Sequence, residues 1–193
     1  MSGEPITVVG IVGSLRRESY NRKLLVTAQQ VAPADMHIEE VPLAGVPLFN
    51  QDEEDPQPPV VRQLKERIRC ADAVLIATPE YNYSIPGVLK NALDWMARPP
   101  AENPFEEKPV AIIGATTGSF GTLRAQLHLR QVLFYLNADV VAKPEVLVAH
   151  VKEKLGPDGT IADPVARDLL RQVLEVLRRR VLERRQLQRF HAR

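Results

Sequence analysis

Short apolar runs alternate along the chain with stretches whose apolar positions recur every three or four residues. Ile6–Val12 is a run rich in β-branched residues that ends at Gly13, as expected of a strand buried on both faces. Runs of the same kind stand at 73–78 and 110–116. Met36–Val41 reads as a further strand, and 140–141, close to Lys143-Pro144, as a short edge strand. A helix capped near Ser19 runs to about Val31, with Leu24, Leu25 and Ala28 on one face, and Pro33 closes it. Other helices are expected over 60–70, 85–96, 121–136 and 164–187. The segment 42–59 is rich in proline and acids, and Asp52, Glu53, Glu54 and Asp55 read as solvated loop.

Strand and helix in strict alternation predict an α/β fold, a parallel sheet covered on both faces. Five strands in fewer than 200 residues suit a three-layer αβα sandwich in the doubly wound order 2-1-3-4-5, with right-handed crossovers. No repeat or linker interrupts residues 1–193, so they read as a single domain with a basic helix at about 164–190. Sheets of this kind bind ligands beyond the carboxyl ends of their strands, at the switch point. The loops after strands one, three and four are therefore the candidates.

The first loop is Gly13-Ser14-Leu15-Arg16-Arg17-Glu18-Ser19-Tyr20-Asn21. It stands at a helix start, where free backbone N–H groups and the helix dipole favour an anion. Two hydroxyls, one amide and two guanidinium groups suit a phosphate. There is no Gly-Lys-Ser/Thr, so the loop is not an NTPase P-loop. Gly10-Ile11-Val12-Gly13 puts valine where a dinucleotide fingerprint needs its second glycine, which points to a terminal monophosphate. On residues alone, a serine-capped turn with two solvated arginines accounts for the same pattern.

The second loop, Thr78-Pro79-Glu80-Tyr81-Asn82-Tyr83-Ser84-Ile85-Pro86-Gly87, is stiffened by prolines. Its tyrosines and amide can flank a planar heterocycle and bond its edge. They serve equally as a helix start with packed tyrosines. The third, Thr116-Thr117-Gly118-Ser119-Phe120-Gly121, carries two glycines that let backbone approach a ligand or simply turn into a helix. The inferred strand order brings all three loops to one edge.

Composition narrows the function classes. A formal charge of +1 gives no global pull toward nucleic acid or a membrane surface. No apolar run approaches the ~20 residues of a membrane helix, and the first residues carry no secretory pattern. A lone cysteine, Cys70, excludes an internal disulfide and suits a reducing cytoplasm. Following Ile68 at a helix end, it is expected in the core. His37, His128, His150 and His191 have no metal-ligand spacing, so no metal is expected. The helix at the carboxyl end is arginine-rich: Arg167, Arg171, Arg178, Arg179, Arg180, Arg184, Arg185, Arg189 and Arg193 stand against Asp168, Glu175 and Glu183. It is read as a solvated face in preference to a polyanion site.

Gly13-Ser14-Leu15-Arg16-x-x-Ser19-x-Asn21, followed by Pro79-Glu80-Tyr81-Asn82-Tyr83-Ser84-Ile85-Pro86-Gly87-Val88-Leu89-Lys90-Asn91-Ala92-Leu93-Asp94-Trp95, resembles the NADPH-dependent FMN reductase family, nearest its bacterial quinone, chromate and azo reductases. The resemblance covers roughly residues 6–150. It implies a flavodoxin-like fold and non-covalent FMN, with Ser14, Arg16, Ser19 and Asn21 on the phosphate. Glu80, Tyr81, Asn82 and Tyr83 would border the ring through backbone atoms, and Ser119 would close the third side. The cofactor-binding set implied is Ser14, Arg16, Ser19, Tyr20, Asn21, Pro79, Glu80, Tyr81, Asn82, Tyr83, Ser84, Thr117, Gly118 and Ser119. No side chain is needed as catalyst, because the flavin carries the chemistry. NADPH or NADH would deliver hydride in ping-pong order, and a quinone, azo compound, chromate or free flavin would accept it. The resemblance further implies a homodimer or homotetramer with the flavin near the subunit boundary. A non-enzymatic electron carrier, or an FMN-binding sensor module, is the alternative. The carrier is disfavoured because carriers usually have a strongly acidic surface.

Overall fold

A computed structural model describes residues 4–191. The elements are β1 (Ile6–Val12), α1 (Tyr20–Val31), β2 (Met36–Val41), α2 (Pro59–Cys70), β3 (Ala73–Ala77), α3 (Gly87–Met96), β4 (Pro109–Ala115), α4 (Leu123–Tyr135), β5 (Asp139–Val140), β6 (Val146–Val148) and α5 (Pro164–His191). All strand pairings are parallel, in the order β2-β1-β3-β4-β5, with β6 also on β4. This is the flavodoxin-like αβα sandwich that the alternation predicts.

Two apolar cores sandwich the sheet. Leu24, Leu25 and Ala28 of α1 join Leu170, Val173, Leu174 and Leu177 of α5 on one face. On the other, Val61, Leu64 and Ile68 of α2 meet Leu89, Leu93 and Trp95 of α3 and Leu129 and Leu133 of α4. β3 and β4 are buried at every position, which is why they read as continuous apolar runs.

The structure departs from the expected elements in three places. The fifth strand is broken in two. β5 pairs the start of β4 at Pro109 and Val110, and β6 pairs its end at Ile113 to Ala115. Pro144 lies in the gap and has no N–H to offer a ladder. Cys70 is exposed, not core. Two positions beyond Ile68 on a helix the side chain has turned to the opposite face, where the thiol meets Glu66. That carboxylate raises the thiol's pKa.

The third departure concerns the arginines of α5, which are not simply solvated. Arg178 forks onto Asp35, with Nε and Nη2 at 2.9 and 2.8 Å. Arg185 holds Asp72 together with the carbonyls of Glu4 and Pro5. Arg180 meets Asp139 at 3.2 Å. Asp35 and Asp72 immediately precede β2 and β3, and Asp139 begins β5. The helix is thereby fastened along the amino edge of the sheet. Arg193 lies outside the described residues.

Candidate functional site

The three loops do converge at the carboxyl edge. The Gly13 N–H donates to Ala77 O, so the first loop leaves beside the end of β3. Ser19 caps α1 as expected, its Oγ accepting from the Arg22 N–H at 3.4 Å. The Ser14 Oγ accepts from the Arg16 N–H. Arg16 donates to the Glu18 carbonyl, lies 5.6 Å from the centre of the Tyr20 ring and, like Arg17, has no carboxylate partner among the described residues. Between Leu15 and Asn21, only the Arg16 backbone N–H meets an acceptor among the described residues. Arg22 braces the loop by joining the Arg16 carbonyl to Glu40. An array of free amides at a helix start, with two unpaired guanidinium groups, is an anion cradle. Asn21 lies in this loop, yet both of its amide atoms bond the backbone of Ala115.

The second loop is a tight turn. Tyr81 and Ser84 exchange both backbone hydrogen bonds, and Asn82 and Tyr83 between them sit at φ 50° and 66°, the signature of a type I′ turn. Tyr81, Asn82 and Tyr83 are exposed and Pro79 is buried. The Ser84 Oγ lies 3.0 Å from His128 Nδ1. Glu80 turns its carboxylate away from the turn's tip. Its oxygens accept from the backbone N–H groups of Arg124 and Ala125, at the start of α4, and from the Arg124 guanidinium. This carboxylate raises the Arg124 pKa. The guanidinium is held between two rings, 3.6 Å from the centre of Tyr83 and 4.5 Å from that of Phe120.

Glu80, Asn82, Tyr83, Thr116, Gly118, Ser119, Phe120, Thr122 and Arg124 line a cleft of about 340 Å³. Thr117, Gly118 and Ser119 are all exposed. The two glycines of this loop play different parts. A side chain on Gly121, at φ +56°, would run into the Leu147 backbone at 2.6 Å, so that glycine serves packing onto β6. At Gly118 a Cβ would meet nothing closer than 4.0 Å, which leaves room for a ligand. Thr116, Phe120, Thr122 and Arg124 line the cleft from outside the implied cofactor-binding set, the first two within the candidate loop and the last two beyond it. Arg124 reaches Glu80 across 44 positions, and local periodicity carries no such signal. One hint was available: a charged residue following the glycine turn at a helix start.

A phosphate cradle beside a rigid, aromatic-walled cleft fits a phosphorylated planar cofactor such as FMN. Its donors match the phosphate, and the turn over 81–84 and the open Gly118 match a ring edge.

Comparison with known proteins agrees with this geometry. The family model described as NADPH-dependent FMN reductase matches residues 6–153. An NAD(P)H-dependent FMN reductase of Pseudomonas aeruginosa is 49% identical over 175 residues, covering 90% of this chain and 94% of that protein. A quinone reductase of Escherichia coli is 43% identical over 164 residues, covering 83% and 87%. Among solved structures, the flavoenzyme NAD(P)H:(acceptor) oxidoreductase FerB of Paracoccus denitrificans superposes with a TM-score of 0.85 at 34% identity, covering 92% of this chain and 98% of that one.

Proposed function

The chain belongs to the NADPH-dependent FMN reductase family, and on that footing we propose that it is an FMN-dependent NAD(P)H oxidoreductase that reduces quinones. The observation that carries this reading is the meeting of a phosphate cradle with a ring-sized cleft at one sheet edge. When bound, FMN supplies the relay of two electrons between a nicotinamide donor and an acceptor. Ser14, Arg16, Ser19 and the free amides up to Asn21 hold the phosphate, with Tyr20 under Arg16. Pro79 to Ser84 border one side of the ring, largely through backbone. Thr117, Gly118 and Ser119 close the other.

The Glu80–Arg124 pair keeps the cleft wall in one conformation, and the rings of Tyr83 and Phe120 flank its guanidinium. The protein's part is thus binding, orientation and access. A carrier role is less well supported, because the surface is near neutral overall. FMN-reconstituted protein mixed anaerobically with NADPH is expected to lose its oxidised-flavin absorbance, and added benzoquinone to restore it. Retained absorbance despite bound FMN would overturn the reading. Azo dyes, chromate and free flavin belong in the same panel, with NADH beside NADPH.

The protein is further proposed to work as a homodimer or homotetramer in the cytoplasm, with the flavin near the subunit boundary. In support, Phe134 and Tyr135 at the end of α4 are 84% and 78% exposed, and Leu127 and Phe120, nearer the cleft, are exposed as well. Sedimentation of the wild type against Phe134→Asp tests this: a dimer or larger is expected to fall to monomer, and a monomeric wild type would refute it. No helix among the described residues is long and apolar enough to cross a membrane.

A further inference from the structure

Asn21 is 2% exposed and stands on the first turn of α1, two residues after the Ser19 cap. Its Nδ2 donates to the Ala115 carbonyl at 3.0 Å, and its Oδ1 accepts from the Ala115 N–H at 2.9 Å. These two backbone groups belong to the last residue of β4 and face the β3 side of the ladder. β3 reaches β4 for the last time where the Thr78 N–H donates to Ile113 O. One rung further on, Ala115 would meet the Thr78 carbonyl and the Glu80 N–H, but the chain has turned into the second loop at Pro79. The Asn21 amide takes the missing strand's place, one donor and one acceptor in a fixed plane. Asparagine and glutamine alone present that pair, and only asparagine is this short. The buried amide engages both of its atoms on Ala115 and keeps only its second Nδ2 hydrogen in reserve. It ties the first loop to the residue that opens the third, since Thr116, Gly118 and Ser119 follow directly and line the cleft.

We propose that Asn21 is a positioning residue, setting the distance between the phosphate cradle and the ring cleft by pinning α1 to the end of β4. The proposal rests on the FMN reading above. Its consequence is selective. FMN occupies both cradle and cleft, whereas riboflavin, lacking the phosphate, needs only the cleft. A lost pin therefore penalises FMN more than riboflavin.

The test measures FMN and riboflavin affinities of apoprotein for the wild type, Asn21→Asp and Asn21→Ala, with thermal unfolding alongside. Asn21→Asp keeps the size and, as the carboxylate, has acceptors but no donor for Ala115 O. Both variants are expected to lose about tenfold or more of the wild-type preference for FMN over riboflavin, whatever the change in Tm. A lowered Tm with the preference intact would make Asn21 merely structural and overturn the proposal. Should neither variant fold, the wild type decides. FMN is expected to slow exchange of the Ala115 amide hydrogen more than riboflavin does, and equal protection overturns the proposal. Wild-type protein that binds neither flavin fails the FMN reading itself. Wild-type protein that binds FMN, with variants of unchanged preference, fails this inference alone.

Discussion

The two edges of the sheet use arginine in opposite ways. At the amino edge, Arg178, Arg180 and Arg185 each lie on an aspartate, and the same carboxylates stand at the starts of strands. At the carboxyl edge, Arg16 and Arg17 have no carboxylate among the described residues, and the backbone amides around them are free. The first arrangement is closed: charge is neutralised within the fold, and the long helix is fastened by it. The second is open: its two guanidinium groups meet no carboxylate, and from Leu15 to Asn21 the Arg16 N–H alone among the backbone amides has an acceptor among the described residues. A run of arginines in sequence therefore says little about ligands until the carboxylates that face it are known. Two carboxyl-edge arginines do have carboxylate partners, and both serve as braces: Arg22 ties the first loop to Glu40, and Arg124 uses Glu80 to stiffen a wall.

The contrast breaks most sharply at Asp72. That carboxylate accepts from the Thr7 N–H and Oγ1 as well as from Arg185. Asp72→Ala is expected to cost about 2–3 kcal/mol of stability, as donors to a charged group are left unmet. In a chain of this size that lowers Tm by about 5–10 °C, with FMN affinity unchanged. Calorimetry and an FMN titration together check it; a matching loss of FMN affinity would erase the division between the edges.

The amino edge also governs pH dependence, in the same direction at two residues but in different pH windows. The Arg178 hydrogen bond holds the Asp35 carboxyl below its usual range. Its contribution is therefore complete above the unfolded value of about 3.9 and is lost as pH falls through the folded one. Asp35→Asn is expected to be less stable than wild type at neutral pH, with the gap closing in acid. Lys108, just before β4, donates to the carbonyls of Arg69 and Ala71, and burial pushes its pKa down to about 8. The fold then disfavours the charged form, so stability rises between about pH 8 and the unfolded value of about 10.4. Lys108→Met is expected to flatten that rise in denaturant titrations across the range. The smallest effect is at Cys70. Exposed, and with its thiol on Glu66 of its own helix, Cys70→Ser should shift Tm by no more than about 2 °C.

Much of this frame was legible in the sequence. β1, the Ser19 cap and α1 follow from local pattern, and the order of the strands follows from alternation and handedness. The three loops at one edge follow from that order in turn. What was not legible depends on side chains that meet across long separations. Asn21 reads as one more phosphate donor, and its bonds to Ala115, 94 positions away, give it a second part that no local pattern signals. Glu80 reads as a residue bordering a ring through its backbone, and nothing local shows that its carboxylate reaches α4. β6 is three residues long, too short for periodicity to register. Cys70 was misplaced because its apolar neighbour Ile68 lies on the other face of the same helix turn.

The central claim is that the free arginines of the carboxyl edge bind the cofactor phosphate and the paired arginines of the amino edge do not. The direct measurement is the FMN dissociation constant of Arg16→Ala beside that of Arg185→Ala. Loss of a charge-assisted hydrogen bond is expected to weaken the first by about 10- to 100-fold, some 1.5–3 kcal/mol, and to leave the second within about twofold of wild type. Equal effects at the two edges, or none at Arg16, would contradict the account.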